Sequence, residues 1–308
     1  MMRIILSFLI LALLNAGYVG AYTFKTLNYG DNSTQLMGIN DSGQIVGYYY
    51  DASAQKYHGF VYDEQNGFDN VNYNNNSTWA TGINNSGQMV GHFLSPKGRR
   101  GFFYDPSNGF QEVNYLDNNL MLFKINDQGQ YVGTVFYSNS DSAGLLYDPN
   151  DGLQASTYQT NSTWFMGINN KEKVVGIFID DQNPYNPFIY DTTNGFTMQD
   201  FSDAPMILYD INDHGQIVGD YLDGTIFRGF VYDPNSGLQT INYQGNPLWL
   251  IGINNNGDIV GNYINSSNYS TGVVILSDNP NPVPIPATAL LFGSGLGLIP
   301  FFLKKKKK

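Results

Sequence analysis

Gly38-Ile39-Asn40-Asp41-Ser42-Gly43-Gln44-Ile45-Val46-Gly47 carries a phrase, I-N-x-x-G-x-x-V-G, that returns five more times along the chain with small variations. Its asparagines are Asn40, Asn84, Asn126, Asn169, Asn212 and Asn254, at intervals of 44, 42, 43, 43 and 42 residues. A period this regular marks one supersecondary unit stacked many times. The second copy shows the unit best, with four short segments: Ala80 to Asn84, Gln88 to Phe93, Gly101 to Asp105 and Phe110 to Tyr115. Each is rich in β-branched or aromatic residues and bounded by Gly, Asn, Asp or Pro, which is the pattern of strands and turns. Four antiparallel strands in about 43 residues is the size of a propeller blade.

The turns agree with this pairing. Asp41-Ser42-Gly43, Asn85-Ser86-Gly87, Asp127-Gln128-Gly129, Asp213-His214-Gly215 and Asn255-Asn256-Gly257 lie between the first two strands. There the Gly supplies a positive φ and the Asn or Asp an Asx turn. The fourth copy departs with Asn170-Lys171-Glu172. The sixth unit ends near Leu276 without an F-x-x-x-N-Y strand, while the chain opens with an unattached copy, Phe24-Lys25-Thr26-Leu27-Asn28-Tyr29. Two framings follow. In one, this segment closes the sixth blade; in the other, it begins a complete first blade and Asp-Pro-x-x-Gly becomes a crossing between blades. A crossing from outer to inner strand needs a longer connection, such as Asn74 to Trp79. The expectation is therefore an all-β, six-bladed propeller over residues 22–278, closed by its N-terminal strand, with the I-N strand nearest the axis.

The chain has 308 residues, 42% of them hydrophobic and 13% charged, enough to bury a large core without long amphipathic helices. Met1-Met2-Arg3, the apolar run Ile4 to Leu14 and small residues to Ala21 read as a signal peptide over 1–21, with a retained anchor as the alternative. At the other end a Pro/Asn linker, 279–286, leads into an apolar stretch, 287–303, and Lys304 to Lys308. That order predicts a C-terminal transmembrane helix with a basic cytoplasmic tail. Without Arg3 and the five terminal lysines, nine basic residues face 26 acidic ones, a body near −17. So acidic a surface argues against nucleic-acid backbones and anionic membranes as partners. The absence of Cys excludes disulfides and thiol chemistry.

Val283-Pro284-Ile285-Pro286-Ala287, then Leu291-Phe292-Gly293-Ser294-Gly295-Leu296, then the basic terminus, resembles the VPLPA-type PEP-CTERM sorting signal. Ile285 stands where the commonest form has Glu, and the tail is all Lys rather than Arg-rich. The resemblance implies a Gram-negative bacterium in which an exosortase-type enzyme removes an inner-membrane anchor and the protein passes to the cell surface or extracellular polymer. A permanent tail anchor is the alternative. The body is loosely similar to HAF-type extracellular repeats, with Gly38 to Gly47 followed by His58-Gly59-Phe60-Val61-Tyr62. That resemblance implies an exported repeat scaffold and no particular reaction.

Candidate chemistry is sparse. His58, His92 and His214 occupy non-equivalent places in the repeat, and no H-E-x-x-H, Cys/His cluster or G-x-S-x-G elbow is present. The six repeated asparagines either ring a channel or, more economically, cap each hairpin. Asp180-Asp181 and Asp220 with Asp223 offer oxygen ligands for calcium, but without the spacing of a recognised loop. Asn76-Ser77-Thr78 and Asn161-Ser162-Thr163 read as turn chemistry. Trp79, Trp164 and Trp249 fall at matching positions in alternate blades and either stack on sugar rings or pack between blades. The sequence thus favours a non-enzymatic exported scaffold associated with extracellular polysaccharide, with no cofactor, metal or catalytic residue assigned. The alternative is a propeller-class glycoside hydrolase or polysaccharide lyase with carboxylates gathered at the channel mouth.

Overall fold

The computed structural model describes residues 22–277, apart from 182, 184, 200, 202 and 203. These residues form 24 strands in six four-stranded antiparallel sheets, a six-bladed β-propeller. The closing strand β1 (Tyr22–Leu27) comes first in the chain. Blade 1 is β2 (Thr34–Ile39), β3 (Ile45–Asp51), β4 (Lys56–Asp63) and β5 (Gly67–Val71). Blade 2 is β6 (Thr78–Ile83), β7 (Met89–Ser95), β8 (Gly98–Asp105) and β9 (Gly109–Val113). Blade 3 is β10 (Asn119–Ile125), β11 (Tyr131–Phe136), β12 (Ser142–Asp148) and β13 (Gly152–Ser156). Blade 4 is β14 (Ser162–Ile168), β15 (Val174–Ile179), β16 (Asn186–Asp191) and β17 (Gly195–Met198). Blade 5 is β18 (Met206–Ile211), β19 (Ile217–Asp223), β20 (Ile226–Asp233) and β21 (Gly237–Ile241). Blade 6 is β22 (Leu248–Ile253), β23 (Ile259–Ile264), β24 (Ser270–Ser277) and, from the other end of the chain, β1.

The framing with an N-terminal closing strand is the one adopted: β1 pairs antiparallel with β24, from Tyr22 opposite Ser277 to Leu27 opposite Gly272. The strand starts two residues before the F-x-x-x-N-Y copy. Inner strands also begin earlier than expected, so that Trp79 lies within β6, and Asn84 stands just outside it in the turn. No helix among the described residues is long and apolar enough to cross a membrane. The expected signal peptide, linker and sorting motif, membrane span and basic tail all lie outside the described residues.

Each letter of the repeated phrase has a separate mechanical job. The turn glycines Gly43, Gly87, Gly129, Gly215 and Gly257 have φ between +72° and +82°, and Glu172 takes the same region at +59° in the fourth copy. A side chain there is strained, which is why Gly dominates. The valines Val46, Val90, Val132, Val175, Val218 and Val260 are all fully buried. Each joins the apolar cluster of the following blade rather than its own, and Val260 of blade 6 joins that of blade 1. They are the wedges that hold neighbouring sheets face to face. The glycine after each valine lies over a carbonyl of the inner strand. A Cβ added to Gly47, Gly91, Gly133, Gly176, Gly219 or Gly261 would sit 2.0–2.3 Å from the oxygen of Gln35, Trp79, Met121, Trp164, Ile207 or Trp249.

All six blades share a feature that no sequence signal marks. Every inner strand carries a register shift just before the I-N pair, between Leu36 and Gly38 in blade 1 and at the equivalent residues elsewhere. A bulge at this point bends the strand and re-aims its end toward the axis.

Replacing Gly91 with Ala is expected to destabilise the fold by about 3 kcal/mol or more, since neither carbonyl nor strand can retreat without breaking the ladder. Chemical denaturation of the variant measures this. A cost below about 1 kcal/mol would mean that the two strands are not held at this separation.

Candidate functional site

The six repeated asparagines converge on the axis and form a closed ring. Each is buried. Its Oδ1 accepts the backbone N–H groups two and four residues later, as Asn84 does from Ser86 (3.1 Å) and Gln88 (3.0 Å), which fixes the hairpin. Its Nδ2 donates to the main-chain carbonyl of the same asparagine in the next blade. The sequence Asn40 to Asn84, Asn126, Asn169, Asn212, Asn254 and back to Asn40 closes with six bonds of 3.0–3.1 Å. The expected capping role is present, and the same amide also ties adjacent blades together.

A second ring lies outside the first, made by the next residue in each copy. These residues alternate around the axis: Asp41, Asn85, Asp127, Asn170, Asp213, Asn255. Each asparagine amide donates to the Oδ2 atoms of both flanking aspartates at 2.8–3.1 Å. Each backbone N–H donates to the Oδ1 of the next residue in the ring at 2.7–2.9 Å. Three carboxylates at the mouth of a channel would repel one another, and the three interleaved amides supply every one of them with charge-assisted bonds. The alternation is present in the turn sequences, but each turn by itself is an ordinary hairpin, and its sense emerges only when the six are joined into a ring.

Behind the rings the axis is filled. Gly38, Gly82, Gly167 and Gly252 precede the I-N pair in four blades, whereas blades 3 and 5 have Lys124 and Asp210. The Lys124 Nζ lies 3.0 Å from Asp210 Oδ2 and donates to the Met37 carbonyl of blade 1 at 2.6 Å. Asp210 also accepts the N–H groups of Ile211 (3.0 Å) and Ile253 (3.2 Å). The pair therefore satisfies inner-strand groups that face the channel instead of a sheet partner. Burial raises the Asp210 pKa against the pull of Lys124 and the two amides. Between plug and rings remains a chamber of about 60 Å³, enough for a few water molecules and far below the several hundred Å³ of a small-molecule site.

The opposite face carries the crossings between blades and the three tryptophans. Trp79 is 8% exposed. His92 stacks on it at 5.2 Å, and the Arg99 guanidinium lies 4.9 Å from its centroid. Trp164 and Trp249 are partly exposed. Trp164 Nε1 donates to Ser142 Oγ at 2.9 Å, and Phe136 of blade 3 meets its ring edge-on. Phe227 of blade 5 stands 5.8 Å from Trp249, as Tyr57 of blade 1 stands 5.0 Å from Trp79. All three tryptophans thus contact an aromatic residue of the preceding blade. They are 85 residues apart, as are Asn85, Asn170 and Asn255, so a two-blade unit repeats three times within the six.

The remaining candidates separate. His214 is exposed in its turn. His92 is buried, and burial followed by Arg99 holds its pKa down at about 3, so it is neutral. Asp220 and Asp223 do not form a pair: a spacing of three on a strand puts them on opposite faces. Asp220 is 1% exposed, while Asp223 meets Arg228 at 3.5 Å on the surface. Asp180 and Asp181 border a shallow depression with Asp141 and Asn161, and Asp180 Oδ1 accepts the Asn183 N–H at 2.7 Å. Among the described residues no group of three or more His, Asp or Glu side chains is placed to hold a metal ion. The Asn-Ser-Thr triplets are turn locks. Thr34, Thr78 and Thr163 are fully buried. Each hydroxyl donates to the asparagine carbonyl two residues earlier and accepts an N–H five residues earlier, at 2.8–3.1 Å.

No protein-family model and no curated protein sequence matches the chain. Solved structures do. The Xanthomonas campestris protein XC5397, described as a gluconolactonase, aligns over 85% of this chain and 91% of its own with 11% identity and a TM-score of 0.55. AofleA from Arthrobotrys oligospora aligns over 84% and 90% with 11% identity and a TM-score of 0.54. TolB from Acinetobacter baumannii aligns over 77% and 66% with 12% identity and a TM-score of 0.54. At these identities the likeness concerns the fold alone.

Two substitutions test the axis. Lys124→Met leaves a buried carboxylate unpaired and is expected to cost about 3–5 kcal/mol, much of it recovered when Asp210→Leu is added. Asn85→Asp sets three carboxylates side by side, so its destabilisation should shrink as the pH is lowered toward about 4, where the added carboxylate gains a proton. Denaturation curves at two pH values measure both.

Proposed function

We propose that this protein is an exported, non-enzymatic propeller that acts as a binding scaffold at the cell surface and associates with extracellular polysaccharide. The observation that carries the reading is the division of labour between the two faces. On one face, the channel mouth where a hydrolase or lyase would gather free carboxylates is closed by Asp41, Asp127 and Asp213, whose oxygens are all engaged by amides. On the other, aromatic side chains recur at every second blade, with Trp164 and Trp249 partly open. A polymer of repeating sugars is matched by repeated shallow aromatic contacts rather than by one deep pocket.

The ends of the fold support a surface attachment. Tyr22 pairs with Ser277, and the Ser277 N–H donates to Asp258 beside the first hairpin turn of blade 6. Tyr22 and Ser277, the two ends of the described fold, therefore lie side by side at the face that carries the rings. An anchor or sorting signal at 279–308 would hold that face toward the membrane and turn the tryptophan face outward.

A glycan array probed with residues 22–277, followed by product analysis of every retained glycan, tests the proposal. Retention without cleavage is expected, with Trp164→Ala and Trp249→Ala each weakening it about tenfold, the loss of one stacked ring. Cleavage of a retained glycan would replace this reading with the enzymatic one.

A further inference from the structure

The residue that follows the V-G pair differs in every blade: Tyr48, His92, Thr134, Ile177, Asp220 and Asn262. It shares a strand face with the wedge valine and so points at the inner strand of the next blade. Asn262 shows what the position is for. Its Oδ1 accepts the Leu36 N–H at 2.8 Å and its Nδ2 donates to the Leu36 carbonyl at 3.0 Å, which clamps blade 6 to blade 1.

In blade 5 the position is occupied by a carboxyl group. Leu250 of β22 is blade 6's counterpart of Leu36. Gly229, which pairs with Asp220 across β19 and β20, has Leu250 and Leu248 packed over the place of its missing side chain. Asp220 is 1% exposed, and its Oδ2 is buried without a hydrogen-bond partner. The titratable group that acts on it is the Tyr209 hydroxyl of β18, which favours the charged form, and Tyr185 acts in turn on that tyrosine. Across the sheet Gly229 pairs in turn with Ile241 of β21, so the surroundings of Asp220 on that side are apolar, and no charged group shifts its titration. A carboxylate has only acceptors, whereas a carboxylic acid has one donor and one acceptor, as an amide does.

We propose that Asp220 is built into the fold as the neutral acid, an amide's substitute between blades 5 and 6, and that its ionisation makes this junction the part of the ring that loosens as the pH rises. Burial lifts its pKa from 3.8 to about 7, with the Tyr209 hydroxyl pulling the other way. The sign follows from linkage. Below about pH 4 the group is protonated in both folded and unfolded chains, and its contribution is complete. Between there and pH 7 the unfolded chain ionises while the fold does not, so stability falls, and it is lost in full once the pH passes the folded pKa. The junction concerned adjoins blade 6, the blade that β1 closes.

Thermal unfolding of the wild type and Asp220→Asn at pH 4 and pH 8.5 tests this. The two melting temperatures should be close at pH 4, and the variant should melt about 5 °C or more above the wild type at pH 8.5. Parallel curves with a constant offset would overturn the proposal. A second measurement needs no variant: amide hydrogen exchange, corrected for intrinsic rates, should show protection in β19 and β22 falling at least tenfold between pH 6 and pH 8 relative to β7 and β10. Uniform protection across the blades would also overturn it. Tyr209→Phe removes the one group that favours the charged form and should move the midpoint of the wild-type loss to higher pH; a shift to lower pH would contradict the assigned partner.

Discussion

The bond from one asparagine amide to the next asparagine's carbonyl sets the spacing of the whole ring. Each side chain is spent twice, once on its own hairpin and once on its neighbour, so a blade cannot fold its innermost turn correctly without also presenting the next blade with a donor. Alanine keeps neither bond and aspartate keeps only the acceptor half, which is why one residue type returns at all six positions. The valine wedges and the glycine contacts act along the same junctions farther out. Inter-blade packing and intra-blade pairing are thereby specified by one nine-residue phrase.

That economy explains what the sequence disclosed. The strand count, the blade size and the closure by an N-terminal strand could be read because turn glycines, β-branched strands and a missing outer strand are local or countable signals. At Trp79 a tryptophan beside Asn-Ser-Thr reads as the end of a loop, while the ordered crossing, locked by Thr78, extends strand pairing to it. The bulges left no mark, since the residues at the shift, Met37, Thr81, Phe123, Met166, Tyr209 and Ile251, share no chemistry.

The axis was harder to read, for a physical reason. Lys124 and Asp210 become partners only when blades 3 and 5 are brought to a common centre, and a sequence displays them 86 residues apart. The alternation of Asp and Asn has the same character: each member is an ordinary turn residue, and its electrostatic sense exists only in the closed circle. The tryptophans were visible because three large residues at equal spacing stand out, yet their unequal exposure depends on partners brought up by other strands of the blade, such as His92 and Arg99 over Trp79. The two-blade period of 85 residues shows in both faces. The ring is six-fold in backbone and three-fold in side-chain chemistry.

The pairing of β1 with β24 has a mechanical consequence. Without β1, the C-terminal strand would lie at the rim of its sheet, and a pull on the chain beyond Ser277 could peel it away one hydrogen bond after another. With β1 in place, β24 is bonded along both sides, to β23 and to β1. A force drawn out through Ser277 along the strand then loads two ladders in shear, and their bonds share the tension together. Of the described strands, the first braces the last.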